Sequence, residues 1–293
     1  MKHIFIINPK AGKGKAIELL PVINDLFKDK GEEFIIRVTA YPGHATEIAR
    51  EYSGMGACRI YSVGGDGTVN EVVNGMAGSR SSLGIIPTGS GNDFIRSIAL
   101  VYDIREMLER TINGKEKSID LARVNDKYFI NISSIGFDAD VVFNAGKFKR
   151  VPGVTGSMAY IISIIYTVLK KKIFPVKIYI DNKEMELKIL LAAIANGRFY
   201  GGGIMAAPEA EIDDGFLDIC LITGVSRFRI LSLFPKYIKG EHRQLEEVSF
   251  YRGKNIKIES NAELRLNIDG EIMPSSEIEF EIINKGINVI IPD

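Results

Sequence analysis

The 293-residue sequence has no tryptophan, only two cysteines and no hydrophobic run long enough to cross a membrane. Cys58 and Cys220 are too few and too widely separated for a disulfide framework or a thiolate metal site. We therefore expect two buried free thiols and a reducing, cytoplasmic location.

The sequence also lacks a net charge, because 37 basic and 37 acidic residues cancel. No long-range field exists to attract nucleic acid or an anionic bilayer, so nucleic acid is not an expected partner and any phosphate recognition must be local. The N-terminal stretch has only four consecutive apolar residues, which is too short for a signal peptide. Export by that route is not expected.

The most apolar segment runs from Met158 to Leu169, and its 12 residues fall short of the about 20 that a spanning helix needs. Ser163, Thr167 and Lys171 recur every four residues, so a helix here would carry one narrow polar stripe. This pattern favours a core helix, and the alternative is one wall of a pocket for a greasy substrate. Three nearby aromatic residues could extend such a wall: Phe137, Phe143 and Phe148.

The first 120 residues alternate apolar runs with segments of helical periodicity. The predicted strands are residues 3–8, 33–39, 58–65 and 83–89. The predicted helices are residues 16–30, 44–52 and 68–76. Alternation at this spacing is typical of a parallel sheet covered on both faces, the doubly wound or Rossmann-like α/β class. Ligands bind such sheets at the carboxyl ends of the strands.

Short β-rich runs replace this alternation near residues 117–123. They are KYFINI, FPVKIYI, EMELKILLAAIA, FLDICLI, NIKIES, ELRLNI, EIEFEII and INVII. With one long helix near residues 157–172, they predict a mainly antiparallel β-sandwich with a helical insert. We therefore expect two domains, residues 1–120 and 121–293, with a cleft between them and with the last residues able to pack back on the first domain.

Three glycine-rich loops follow predicted strands of the first domain: NPKAGKG (8–14), GGDGT (64–68) and PTGSGND (87–93). Glycine lets a ligand approach the backbone, so such a turn before a helix presents N–H donors to an anion. Neither the G-x-x-x-x-G-K-[ST] nor the G-x-G-x-x-G spacing is present after the first strand. The first loop alone is explained equally well as a tight strand-to-helix turn.

The second loop contains an aspartate, Asp66, among its glycines. The carboxylate of Asp66 would repel phosphate unless a cation lay between them, so it indicates a Mg²⁺ site or a group that accepts a proton from an attacking hydroxyl. A plain Asp-Gly turn with Thr68 as helix cap is the alternative. Asp93 repeats the arrangement in the third loop, which favours phosphate chemistry.

Together these segments resemble the catalytic domain of the diacylglycerol kinase family, particularly its bacterial lipid kinases. The resemblance rests on NPKAGKG, PGHATEIAR (42–50), GGDGTVNEVVNG and PTGSGNDF, and continues through NISSIGFDADV (131–141), residues 196–218 and NIDGE (267–271). GGDGT alone is shared with NAD kinases and phosphofructokinases. The resemblance implies an ATP- and Mg²⁺-dependent kinase that acts on a lipid alcohol. Diacylglycerol is the first expectation for that substrate. An NAD kinase-like enzyme and a catalytically silent nucleotide-binding regulator are the alternatives.

The resemblance also implies roles for particular residues. Nucleotide contacts would come from Asn8, Pro9, Lys10, Ala11, Gly12, Thr39, Gly65, Asp66, Gly67, Thr68, Val69, Asn70, Glu71, Thr88, Gly89, Ser90, Gly91 and Asp93. Glu271 resembles the proton acceptor, and Asp66 is similar to the acid near Mg²⁺ that some members use as base. A second, structural Mg²⁺ would be held by Asp214, by the carbonyl of Phe216, and by Glu211 through its side chain or its carbonyl.

Other features have open interpretations. Asp269 is either a partner in a Mg²⁺ network or a turn residue, and His44 opens a helix without an assigned chemistry. Lys13 and Lys15 either neutralise the charge of the nucleotide phosphates or are solvent-exposed lysines without a role in binding. Without a spanning segment, lipid would be reached by peripheral membrane contact through basic clusters such as residues 147–150 or 170–172, or these clusters are plain surface. Exposed edge strands could form a homodimer.

Overall fold

The computed structural model describes residues 1–28, 30–100 and 103–293 of the chain. The strands are β1 His3–Ile7, β2 Phe34–Val38, β3 Arg59–Gly64, β4 Ser82–Pro87, β5 Lys115–Val124, β6 Lys127–Phe129, β7 Ile132–Gly136, β8 Phe174–Ile180, β9 Lys183–Ala195, β10 Phe199–Tyr200, β11 Ile204–Met205, β12 Leu217–Thr223, β13 Val248–Gly253, β14 Asn255–Ile268 and β15 Glu271–Ile291. The helices are α1 Leu19–Phe27, α2 His44–Gly54, α3 Asp66–Met76, α4 Ile95–Ile98, α5 Ile104–Asn113, α6 Phe137–Phe148, α7 Gly156–Leu169 and α8 Arg227–Lys239.

The N-terminal part is built on four parallel strands in the order β2, β1, β3, β4. β1 reads HIFII and all five of its residues are buried, because helices cover both faces of the sheet. α2 and α3 pack on one face and α1 and α5 on the other. The carboxyl ends of all four strands therefore meet at one edge, where the glycine-rich loops begin.

The predicted elements of this part are present with shifted ends. The helix predicted over residues 16–30 spans Leu19–Phe27, and Asp29, which the prediction included, lies outside the described residues. The helix predicted from Thr68 begins two residues earlier, so Asp66 and Gly67 belong to the first turn of α3. The acid of GGDGT thus stands at a helix N-terminus.

The C-terminal strands pair with one another in antiparallel fashion, and all but β10 and β11, which form a separate two-stranded sheet, continue the sheet of the N-terminal strands. Two pairs of predicted strands each merge into one long strand, β14 and β15, with irregular registers in the middle. β15 joins the two parts, because its first half pairs with β14 while Asn288 and Val289 pair in parallel with Ser82 and Leu83 of β4.

Three helices of at least 12 residues pack on the C-terminal strands, where the sequence predicted one. α6 and α7 form a hairpin between β7 and β8, and α8 connects β12 to β13. α6 escaped prediction because its segment, FDADVVFNAGKF, has weak amphipathic periodicity. These helices and the strands beneath them enclose a hydrophobic cluster of their own.

The expectation that α7 is a core helix is wrong, because its polar stripe faces inward. Ser163 and Thr167 are buried, and Thr167 Oγ1 accepts a hydrogen bond from Asn144 Nδ2 of α6 at 3.1 Å. The apolar face is turned outward, with Ile161 58% and Leu169 64% exposed. Asn144 satisfies Thr167 inside the hairpin, and Ser163 Oγ donates to the carbonyl of Tyr160, so the buried polar stripe has partners.

Two further expectations from the sequence concern burial and length. Cys58 and Cys220 are free and buried, as predicted. Across residues 1–28, 30–100 and 103–293, every helix is too short or too polar to reach from one side of a bilayer to the other.

The contact between α2 and α3 gives a test of the fold. A Cβ added at Gly75 of α3 would lie 2.5 Å from the carbonyl oxygen of Thr46 and 2.6 Å from Ala49 Cβ, both in α2. We expect Gly75→Ala to lower the free energy of unfolding by about 1–3 kcal/mol through overpacking. Gly54→Ala, at the open end of α2, is the control and should leave stability unchanged or raise it by up to about 1 kcal/mol. Urea denaturation measures both, and equal values would contradict the tight packing.

Candidate functional site

The three glycine-rich loops touch one another at the carboxyl edge of the parallel strands. A Cβ at Gly12 would lie 2.2 Å from the carbonyl oxygen of Thr88, and one at Gly89 would lie 2.5 Å from Gly65 Cα. Only glycine permits these approaches, which sets the first loop against the third and the second against the third. The result is a cradle of backbone at the N-terminus of α3.

Side chains of the first and second loops complete the cradle. Asn8 Nδ2 donates to Thr68 Oγ1 at 3.1 Å, and the N–H of Lys10 donates to Asn8 Oδ1 at 3.1 Å. Pro9 and Ala11 are half-buried in the same loop, and Thr39 follows β2 beside it. Thr88 Oγ1 is buried and has no hydrogen-bond partner among the described residues.

Asp66 ties the second loop to the third. Its Oδ2 accepts the N–H of Asn92 at 2.8 Å and its Oδ1 accepts the N–H of Asp93 at 2.7 Å. Each carboxylate oxygen keeps lone pairs, so Asp66 could still bind a metal-bound water. Its hydrogen bonds nevertheless give it a structural task that the sequence did not predict.

Asn92 was also missed by the sequence prediction. Its backbone is left-handed, with φ 51°, and its side chain makes two bonds to Gly89, accepting from the N–H at 3.0 Å and donating to the carbonyl at 2.8 Å. Asn tolerates this conformation and bonds its own turn, so a Gly-Asn pair between a strand and an acid is the signal that could have found it. Asn92 fixes the shape of the third loop.

Asp93 reaches across to the C-terminal part of the chain. Both of its oxygens accept the N–H of Gly202, at 3.1 and 2.8 Å. Burial raises the pKa of Asp93, the N–H of Gly202 opposes that rise, and the negative charge of Asp66 adds to it. Asp93 therefore holds the two parts together beside the cradle, a contact that sequence spacing could not show.

The remaining predicted nucleotide residues differ in what they face. Gly67 and Ser90 are exposed at the loop tips, and a Cβ on Gly91 would lie 2.5 Å from Asp66 Oδ2. Val69 is in the hydrophobic core. Glu71 Oε2 accepts the N–H of Ala45 at 3.1 Å, so its side chain caps the first turn of α2. His44 begins α2, as the sequence suggested.

Asp269 anchors the turn that carries Glu271. The turn joins β14 to β15 and has a left-handed backbone at Asp269, φ 47°. The Asp269 carboxylate accepts three hydrogen bonds, from the N–H groups of Ile130 and Ile132 at 3.0 Å each and from Asn70 Nδ2 at 3.3 Å. Burial raises its pKa to about 6, and the charge of Asp66 adds to the rise. The turn interpretation holds, and Asp269 also bonds to α3.

Glu271 is exposed at the first position of β15. Its position follows from the anchored turn, because Asp269 lies two residues before it and binds Asn70 of α3. The carboxyl of Glu271 is therefore presented at the junction of the two parts and is open to a ligand. Among the acids predicted to be catalytic, it is the exposed one, while Asp66 is half-buried.

The acidic side chains of the predicted second metal site differ in what they contact. Asp214 Oδ1 accepts the N–H of Phe216 at 3.0 Å and its Oδ2 forms an ion pair with Arg252, while Glu211 is exposed. Across the described ranges, no group of three or more His, Cys, Asp or Glu side chains is arranged to hold a metal ion. The predicted ligand set has at most two acidic side chains, since Phe216 would contribute its carbonyl, and it stays a prediction.

An apolar cavity of about 660 Å³, measured with its open mouth, lies among α6, α7, α8 and the strands below them. Phe137 lines it, as the sequence suggested, with Ile164, Leu190 and Phe234, whereas Phe143 and Phe148 do not. Asp138 is a polar group in its wall, and burial raises the pKa of this carboxyl to about 7. The mostly apolar lining suits a hydrophobic ligand group.

The cavity adjoins the cradle through one loop. Tyr160 lines the cavity, and its hydroxyl lies 3.2 Å from where a Cβ on Gly201 would stand. The next residue, Gly202, donates its N–H to Asp93 of the third glycine-rich loop. A backbone cradle suited to an anion and a cavity suited to an apolar chain thus lie on opposite sides of residues 201–202.

Comparison with known proteins agrees with this architecture. The model of the diacylglycerol kinase catalytic domain matches residues 2–124, and that of the YegS C-terminal NAD kinase beta sandwich-like domain matches residues 131–291. The two matches follow each other along the chain and together give it a two-domain architecture. The chain belongs to the diacylglycerol kinase family of lipid kinases.

Individual relatives span nearly the whole chain. "Diacylglycerol kinase" of Bacillus subtilis (strain 168) is 29% identical over 100% of this chain and 97% of its own length. "Probable lipid kinase YegS-like" of Cronobacter sakazakii (strain ATCC BAA-894) is 33% identical over 93% of this chain and 90% of its own length. A crystal structure of a diacylglycerol kinase from Bacillus anthracis str. Sterne has a TM-score of 0.74 at 26% identity and covers 99% of this chain and 96% of that one.

The anchored turn gives a prediction for this site. In Asp269→Asn one carboxylate oxygen becomes an NH₂ group that faces a backbone N–H of Ile130 or Ile132. We expect the free energy of unfolding to fall by about 1–3 kcal/mol, because a buried donor loses its acceptor. Asp126→Asn, in the exposed β5–β6 turn, is the matched control. If urea denaturation at pH 7.5 gives the same stability for both variants, Asp269 is not an anchor.

Proposed function

We propose that this protein transfers the γ-phosphoryl group of ATP to the free hydroxyl of diacylglycerol, giving phosphatidic acid and ADP. The observation that supports it is the adjacency of the two surfaces: the glycine-rich cradle and the apolar cavity meet at Gly201 and Gly202. Phosphoryl transfer to a lipid needs both an anion site and an apolar site within reach of each other.

The nucleotide part of the proposal rests on the cradle. Residues 8–12, Thr39, 65–68 and 88–91 would contact ATP, with N–H groups of the α3 N-terminus and the free hydroxyl of Thr88 directed to phosphate oxygens. Phosphoryl transfer asks mainly for charge stabilisation and in-line positioning. Mg²⁺, carried through water by Asp66, would supply that charge when bound.

In this proposal the carboxylates of Glu271 and Asp66 have different roles. Glu271 is exposed at the junction and would orient the lipid hydroxyl and take its proton as the new P–O bond forms. Asp66 is engaged by the N–H groups of Asn92 and Asp93, so it would keep the loops and a metal-bound water in place. The acyl chains would lie in the cavity of α6, α7 and α8.

A labelled-phosphate assay tests this function. Incubated with γ-labelled ATP, Mg²⁺ and diacylglycerol micelles, the wild type should give labelled phosphatidic acid, and Glu271→Gln should reduce the rate by about 10²–10⁴ because the proton acceptor is lost. Glu263→Gln, a change of an exposed acid in β14, is the control and should keep full activity.

Parallel reactions separate the alternatives. Total lipid extract in place of micelles would identify another lipid alcohol, and labelled NADP from NAD would instead assign an NAD kinase. ATP binding without transfer to any of these acceptors would indicate a silent regulator. Full activity of Glu271→Gln would remove Glu271 as proton acceptor.

We also propose that the outer face of α7 contacts the membrane. Met158, Ile161, Ile165 and Leu169 are exposed on it, and Tyr160 and Ile164 of the same helix line the cavity. Four exposed basic residues flank this face: Lys147, Lys149, Lys170 and Lys172. An apolar face with basic flanks suits an anionic bilayer, and lipid could pass from the bilayer to the cavity beside one helix.

Vesicle sedimentation tests the membrane contact. We expect the double change Ile161→Glu and Ile165→Glu to lower partitioning into vesicles of phosphatidylglycerol and phosphatidylcholine by at least about tenfold, because two half-exposed isoleucines lose their apolar contact. Met55→Glu removes an even more exposed apolar side chain from the N-terminal part and should change nothing. If the two proteins partition alike, α7 is not the membrane face.

A further inference from the structure

Residues 209–218 form an acidic segment in which three bases from elsewhere in the chain pair with four of the five acids. Of its five acids, Glu209 forms an ion pair with Arg243, Asp213 with Lys117 at 2.7 Å, and Asp214 and Asp218 both with Arg252. The remaining acid, Glu211, is exposed. Arg252 thus already places a positive charge at Asp214, the acid whose side chain the predicted metal site requires.

Arg252 is held in its place by three separate contacts. It lies directly opposite Asp218 in the antiparallel pair of β12 and β13, and its Nε is 3.4 Å from Asp218 Oδ1. Its guanidinium carbon lies 4.9 Å from the centre of the Phe216 ring, a cation–π distance. The strand register thus places Arg252 beside Asp218, from where it also reaches Asp214 of the preceding loop.

Asp214 and its neighbour Asp120 have no oxygen left without a donor. Asp214 uses one oxygen for the N–H of Phe216 and the other for Arg252. Asp120 is fully buried and accepts the N–H of Gly215 at 2.6 Å and that of Lys285 at 2.8 Å. A divalent ion that bound Asp214 through the oxygen paired with Arg252 would lie beside a like-charged guanidinium, which opposes its binding.

We infer that Arg252 takes the role of a structural cation at residues 211–216, so that the fold of this protein does not depend on a divalent ion there. The inference concerns stability and is independent of the proposed kinase reaction. It predicts a protein whose resting stability is insensitive to chelation, in contrast to what the resemblance to the family implies for these positions.

Thermal unfolding without nucleotide tests the inference. For the wild type, replacing EDTA by about 10 mM Mg²⁺ should move the melting temperature by less than about 1 °C. Arg252→Gln should melt several degrees lower in EDTA, because Asp214 and Asp218 lose their partner, and Mg²⁺ should restore most of the loss. Arg252→Lys keeps the positive charge and should stay insensitive to Mg²⁺.

Two further variants make the outcomes decisive. Arg243→Gln removes a base that pairs with Glu209 of the same segment and should gain no response to Mg²⁺. A saturable Mg²⁺ stabilisation of the wild type that disappears in Asp214→Asn would overturn the inference, since a divalent ion would then displace Arg252. A loss of stability in Arg252→Gln that Mg²⁺ leaves unrestored would also overturn it, because Arg252 would then act as more than a replaceable charge.

Discussion

The carboxylate of Asp66 is the point on which the site depends. By accepting the N–H groups of Asn92 and Asp93, it fixes the third glycine-rich loop against the second, and the fixed loop directs the side chain of Asp93 to Gly202. One acid therefore closes the cradle and, through the next, joins the two parts of the chain. A charged acceptor is suited to this task because its hydrogen bonds to N–H groups are stronger than those of a neutral one.

The long strand β15 imposes the second constraint. It begins at Glu271 in the anchored turn and ends beside β4, so the proposed proton acceptor and the parallel sheet share one strand. Asp269 adds a side-chain tie to Asn70 of α3. A movement of one part against the other would have to break these bonds, which favours a fixed distance between the cradle and Glu271. The homodimer suggested by edge strands stays a prediction.

Local features of the site could be predicted from the sequence, and long-range ones could not. The glycine-rich loops and the alternating elements are formed by residues that are close in sequence. Their periodicity therefore predicted four strands, and the ends of those strands located the carboxyl edge where Asn8, Gly65 and Thr88 meet. The partners of Asp269 lie 137 to 199 positions away in sequence, and only the fold brings them together. The same holds for Arg252, which looks like an ordinary strand residue until the register places it beside Asp218.

The orientation of α7 shows why composition alone misleads. A helix with a narrow polar stripe lowers its free energy by burying its apolar face, unless buried polar partners compete for the stripe. Asn144 is such a partner, and with Thr167 bonded to it the isoleucines face outward. Full burial of one such side chain is favourable by about 1.5–3 kcal/mol. Several such side chains are exposed on α7, so their transfer from water into an apolar phase would be strongly favourable. The same helix lines the cavity.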